Sequence, residues 1–335
     1  MPDSEMWGNQ AQFVLNGDSK QFDFLGAYGH PGGTIIVCAV ITQKLTNVNY
    51  QKSLILFVEF MMSLLIAGIC LLCIILKKDI LWWIAVLPLL VFSWMYEYGT
   101  PPSLVSTLMI SFLCLLTLYV YERKEKVNYK LLALWGFVTG MSVATRTDIG
   151  IISSFFFFLL ILNKMNWKTA LLVLLEAFAV FIIFDPFMWF MPIQHLKDLI
   201  FKFTYHYSEF TPTHLKFFTI LSISATSFMS IAMAIFLLKK KEDKLILPPV
   251  FVWTLIGMTA FLYVIFLSAR IQTERYFLPL LFIWEIFFPL FLFYLVDKTG
   301  NKYASYIKVF IIVLLVIGNI LISLQNIWTC SPSCI

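Results

Sequence analysis

The sequence predicts an all-α protein, a polytopic bundle of transmembrane helices, and three observations carry that prediction. The 335-residue chain is 60 % hydrophobic with a mean hydropathy of +0.86. Only 13 % of its residues are charged, where soluble domains carry roughly 25 %. Its apolar residues come in unbroken runs of about 20, the length a spanning helix needs, and not in the alternating ten-residue segments of an outer-membrane barrel.

Ten such runs can be placed, near 53–76, 80–97, 103–121, 131–146, 148–162, 168–186, 216–238, 246–267, 275–296 and 306–325. Basic residues orient them, because cytoplasmic loops retain Lys and Arg. Fifteen, from Lys77/Lys78, Arg123 to Lys130, Lys164/Lys168, Lys239 to Lys244 and Lys298 to Lys308, fall on one side, and the remaining nine are spread over longer stretches of the other. The first side is assigned to the cytoplasm. The chain thus divides into an extracytoplasmic juxtamembrane segment, 1–52, and a transmembrane bundle, 53–335, with an outer loop at 186–215. The expected location is an integral membrane position, the cytoplasmic (inner) membrane in a prokaryote. Anionic lipid surfaces account for the net charge of +5, which makes no case for nucleic acid.

The outer segments hold most of the remaining polar chemistry. No basic n-region precedes an apolar core at the N-terminus, so 1–18 does not read as a signal peptide. Asp3 instead stands as an N-cap before a run, Ser4 to Asn16, in which Trp7, Ala11, Val14 and Leu15 recur at helical spacing and Gly17 is the stop. This is expected to lie in the interface with Asn9, Gln10 and Gln12 facing water or a substrate. Phe24 to Thr34 then contains four glycines in eleven residues, which permits sharp turns and close backbone approach. In 186–215, Leu196, Leu199, Ile200 and Phe203 form one helical face and Lys197, Asp198 and Lys202 another. His195, His206 and His214 flank it, and each is most simply an amphipathic ring at headgroup level. Cys70 and Cys73 read as small packing residues in a helix, while Cys330 and Cys334 are either a short disulfide or two free thiols.

Ionisable groups at membrane depth cost about 2.5–3.5 kcal/mol each on insertion scales and are functional candidates for that reason. Glu59, Glu176 and Glu285 lie inside expected spans. Glu97, Arg146/Asp148, Asp185, Arg270 and Glu274/Arg275 gather at outer helix ends, as a shared polar cavity would require. Local pairing, Arg146 with Asp148 or Glu274 with Arg275, explains the same residues without one.

The motifs P-D-S-E-M-W-x-x-Q-A-Q-x-x-L-N-G-D and Y-G-H-P-G-G-T resemble the first external loop of GT-C glycosyltransferases of the protein O-mannosyltransferase and aminoarabinose transferase type, the glycosyltransferase 39-like family. E-Y-G-T-P-P-S (97–103), A-T-R-T-D (144–148), F-D-P-F (184–187) and E-R-Y-F-L-P (274–279) follow in the family's order. The resemblance implies a GT-C bundle with interfacial helices on the extracytoplasmic side. Its activity would be transfer of a sugar, with inversion, from a polyprenyl-phosphate donor to a protein, glycan or lipid acceptor. Asp3 would be the catalytic carboxylate with Glu5 as its partner, or the two would hold a divalent metal. His30, Arg146, Arg270 and Arg275 would bind the donor phosphate. Tyr28, Glu97, Asp148, Asp185, His206, Glu274 and Tyr276 would line the substrate cavity, and Trp94, Tyr96, Trp189 and Tyr205 are candidates to hold sugar or prenyl groups. Pro31-Gly32 replaces the family's Pro-Pro, and the family's first transmembrane helix is expected to be missing ahead of Met1. Two other functions stay open: a transporter or lipid flippase using Glu59, Glu176 and Glu285, and a non-catalytic assembly subunit.

Overall fold

A computed structural model describes residues 4–18, 32–76, 84, 101–123, 128–207, 247–267, 278–300 and 302–329, and all regular structure among them is helical. The described helices are α1 (Ser4–Asn16), α2 (Gly33–Thr46), α3 (Tyr50–Leu76), α4 (Pro101–Glu122), α5 (Tyr129–Thr145), α6 (Thr147–Ile161), α7 (Trp167–Ile183), α8 (Pro186–Phe190), α9 (Pro192–Tyr207), α10 (Pro249–Leu267), α11 (Leu278–Lys298) and α12 (Ala304–Thr329). Eight of the ten expected spans have a described helix, and those at 80–97 and 216–238 lie essentially outside the described residues. Among the described residues three segments are, by length and composition, long and apolar enough to cross a membrane: Lys52–Leu76, Pro102–Glu122 and Thr147–Lys164.

The helix α4 is the centre of the bundle, since its spanning segment is 89 % buried against 39 % for the one in α3. It touches α3, α5, α6 and α11. Three of its interior hydroxyls are satisfied along their own helix: Thr107 donates to Ser103 O, Ser111 to Thr107 O and Thr117 to Leu113 O, at 2.6–2.8 Å. Thr117 also accepts from Trp135 Nε1 at 2.9 Å, which ties α5 to α4 by a buried polar contact.

The closest helix pair is α5 with α7. Gly136 and Gly140, one turn apart on α5, remove the side chains that would hold α7 away. A Cβ at Gly140 would lie 2.5 Å from Ala177 O, and one at Gly136 would lie 3.1 Å from Val173 O. This is small-residue packing of the kind membrane helices use in place of a hydrophobic driving force.

The described part of residues 1–50 packs into the core through α1 and α2. The helix α1 has the expected bounds and ends as expected: Gly17 has φ +67°, its N–H donates to Val14 O, and Asp18 N–H donates to Phe13 O. It packs on α2 and α3, with Trp7 and Ala11 buried in the common core. Gln10 is also buried, at 6 % exposure, which corrects the expectation that it faces water. It occupies the same inward face as Trp7 and Ala11, three and one residues away, and the approach of α2 and α3 covers that face.

Candidate functional site

Three helix starts and two chain breaks meet at one end of the bundle. At the α5–α6 break, Arg146 is extended (φ −145°, ψ 100°), a single residue between two helices that fold back on each other. Gly150 makes that turn possible, because a Cβ there would meet Ser142 O at 2.8 Å. At the α7–α8 break, Asp185 is the N-cap of α8 with Pro186 at the first helical position, a placement in which proline's missing N–H costs nothing.

Each break carries a buried pair. The Arg146 guanidinium forks onto Asp148, with Nη2 at 2.8 Å from Oδ2 and Nε at 3.3 Å from Oδ1, and Nη1 lies 3.5 Å from Ser103 Oγ at the start of α4. Both side chains are at most 1 % exposed. Asp148 sits in the first turn of α6, where the positive end of the helix dipole adds to the attraction of the guanidinium. At the second break Asp185 Oδ1 accepts from Phe187 N at 3.1 Å, and Oδ2 lies 2.8 Å from His195 Nε2 in the first turn of α9. The imidazole stacks on the Phe187 ring at 5.3 Å and 21°.

Gly32 and Gly33 join the two pairs. Gly32 N–H donates to Thr145 O, next to Arg146, and a Cβ on Gly33 would collide with Phe184 O and Asp185 Cα. Gly32 itself has φ +53°, and the Trp7 ring occupies the place its side chain would take. Thr34 Oγ1 donates to Met141 O at 2.9 Å, one turn before Arg146. The entry to α2 is therefore wedged between the two breaks, and only glycine fits there.

Among the described residues, several buried polar atoms around this centre meet no hydrogen-bond partner: Trp7 Nε1, Gln10 Oε1, Ser106 Oγ, Ser142 Oγ and Thr147 Oγ1. Unmet groups of this kind are costly when buried and are sites where ordered water or a polar ligand is expected. Among the described residues no group of three or more His, Cys, Asp or Glu could hold a metal ion.

The opposite end of the bundle is basic. Lys164 Nζ donates to Arg123 O at 3.1 Å and lies over the Tyr121 ring, and Arg123 bonds the Tyr119 hydroxyl.

Of the sequence-derived site residues, Arg146, Asp148 and Asp185 belong to this centre. The Arg146–Asp148 contact is the local pairing weighed from the sequence. Asp3, Tyr28, His30, Glu97, Arg270, Glu274, Arg275 and Tyr276 lie outside the described residues, and so do the side chains of Glu5 and His206, although α1 and α9 contain them. Trp94 and Tyr96 also lie outside, while Trp189 is 44 % exposed and donates to Ile182 O at 2.6 Å. His195 was read from the sequence as a headgroup-level ring and is instead a buried partner of Asp185. The signal was its spacing: an aspartate capping one short helix and a histidine in the first turn of the next, ten residues on.

No family model, curated protein or solved structure matches the chain. The arrangement stands on its own geometry as an all-α protein with membrane-length helices.

Proposed function

We propose that the chain is a membrane glycosyltransferase acting at the end of the bundle where the two buried pairs meet. The observation that carries this reading is the wedge of Gly32-Gly33 between the Arg146 and Asp185 breaks. It brings the start of α2, which follows His30, the A-T-R-T-D motif and the F-D-P-F motif to one place. The unpartnered Trp7, Gln10, Ser142 and Thr147 atoms beside it supply donors and acceptors suited to a polyhydroxylated substrate.

In the proposed reaction the acceptor hydroxyl attacks the anomeric carbon of a polyprenyl-phosphate sugar. Asp3 takes the hydroxyl proton, the bond from that carbon to the phosphate oxygen breaks, the lipid phosphate leaves with the electron pair, and the glycosylated acceptor carries the inverted anomeric configuration. His30, Arg270 and Arg275 stabilise the charge that develops on the phosphate. Arg146, already forked onto Asp148, shapes the pocket and contributes positive potential.

The test is transfer from a panel of synthetic polyprenyl-phosphate sugars by purified protein in lipid vesicles. Wild type should transfer from at least one donor. Asp3→Asn should lower the rate by about 10²–10⁴-fold, and Arg275→Ala by about 10²–10³-fold with the fold intact. Full activity in Asp3→Asn removes that residue from catalysis, and absence of transfer from every donor removes the activity.

A second reading, transport, is favoured by Glu176, which lies mid-helix on α7 against Gly136 with Oε2 unpartnered. Movement of labelled lipid-linked sugar across the vesicle without chemical change would support it.

A further inference from the structure

The carboxyl group of Glu59 has no place in the site above. It lies on α3, seven residues from Lys52 and seventeen from Leu76, which is about 10 Å and about 25 Å along the helix at 1.5 Å per residue. With Lys52 at the headgroups, that depth is inside the roughly 30 Å hydrocarbon layer. The opposite face of α3, with Leu54, Val58, Met62 and Ile69, is buried in the core. The Glu59 face, with Ile55, Phe60, Ser63 and Ala67, is exposed. Among the described residues no donor or cation meets the Glu59 carboxyl, and Ser63 Oγ is turned to Glu59 O of its own backbone at 2.8 Å. An ionisable group facing lipid is expensive and calls for a partner.

We infer that this face of α3 is the docking surface for a second copy of the chain in the membrane plane. Copies with the same topology associate about an axis normal to the membrane, so each residue on that axis meets its own counterpart at equal depth. A carboxyl is among the few side chains that can pair with a copy of itself in that arrangement, because a carboxyl group can both donate and accept a hydrogen bond. None of the three spanning segments holds a Lys or Arg in its interior, so a hydrogen bond between like side chains and not an ion pair is the available match. Ser63 and Ala67, one and two turns further along the same stripe, are small enough to let the two α3 backbones approach.

Two measurements in lipid vesicles test this. In a chain whose native cysteines are replaced, Ser63→Cys and Ala67→Cys should each give a covalent dimer on mild oxidation, whereas Leu171→Cys, exposed on α7, should not. Otherwise wild-type chains carrying donor or acceptor fluorescent proteins should show energy transfer that persists on dilution with lipid. Glu59→Leu should weaken that association about three- to tenfold, while Glu59→Gln, still donor and acceptor, should keep it. Monomers at every protein-to-lipid ratio overturn the inference and assign the face to a foreign helix. Equal cross-linking through Leu171→Cys, or unchanged association in Glu59→Leu, overturns it as well.

Discussion

Asp185 Oδ2 and His195 Nε2 are 2.8 Å apart, with both side chains essentially out of contact with solvent. This contact fixes the start of α9 to the break that ends α7. Asp185 also caps α8 through its other oxygen, so one carboxylate sets the direction of three consecutive helices.

The first prediction concerns that pair. Replacing His195 by Ala leaves a buried carboxylate oxygen unpaired and removes the ring stacked on Phe187, and should cost about 2–3 kcal/mol. His195→Gln, which can still donate to Asp185, should recover part of the loss. Thermal unfolding of the detergent-solubilised protein reads both, and an unchanged midpoint for His195→Ala would mean that the contact does not hold α9.

Arg146 and Asp148 should behave as one unit. Removing either partner strands a charge at 1 % exposure, so Arg146→Met or Asp148→Asn should each destabilise by about 3–5 kcal/mol. The double variant should be less destabilised than the sum of the two. A double-mutant cycle on unfolding free energies checks this, and simple additivity would show that the two side chains act independently.

The α5–α7 seam should reject any side chain at Gly140. Gly140→Ala places a methyl 2.5 Å from Ala177 O and should cost about 1–3 kcal/mol by forcing the helices apart. Gly300→Ala, where a Cβ meets nothing within 4 Å but φ is +60°, should cost about 1–2 kcal/mol from backbone strain alone. Comparing their unfolding midpoints separates packing from backbone effects.

Gly32→Ala should be worse than either cause alone predicts. Its φ of +53° disfavours any side chain, and the Trp7 ring already fills the space. Fluorescence of the tryptophans together with a stability measurement should report displacement of Trp7, whereas Trp7→Phe should relieve part of the Gly32→Ala penalty by vacating that space.

What the sequence by itself determined is local. Apolar run length gave the helical membrane class, and Gly17 placed the stop of α1, whereas the caps by Asn128 and Asn166 at the starts of α5 and α7 and by Asp185 before α8 came to light only in the structure. The break at Arg146 was legible as the gap between two short apolar runs. Tertiary structure decided which of those ends meet. Gln10 lies on an inward face because α2 and α3 cover it, and the spacing within α1 carries no information about that. The Gly136 and Gly140 spacing was present in the sequence, but its partner Ala177 could be found only once α7 lay against α5. His195 was ambiguous for the same reason: an imidazole in an amphipathic helix suits a wet interface as well as a buried carboxylate, and only the position of Asp185 chose between them. Helix type follows from short-range backbone and side-chain preferences, whereas a site is made from contacts between segments far apart in the chain, which close packing selects.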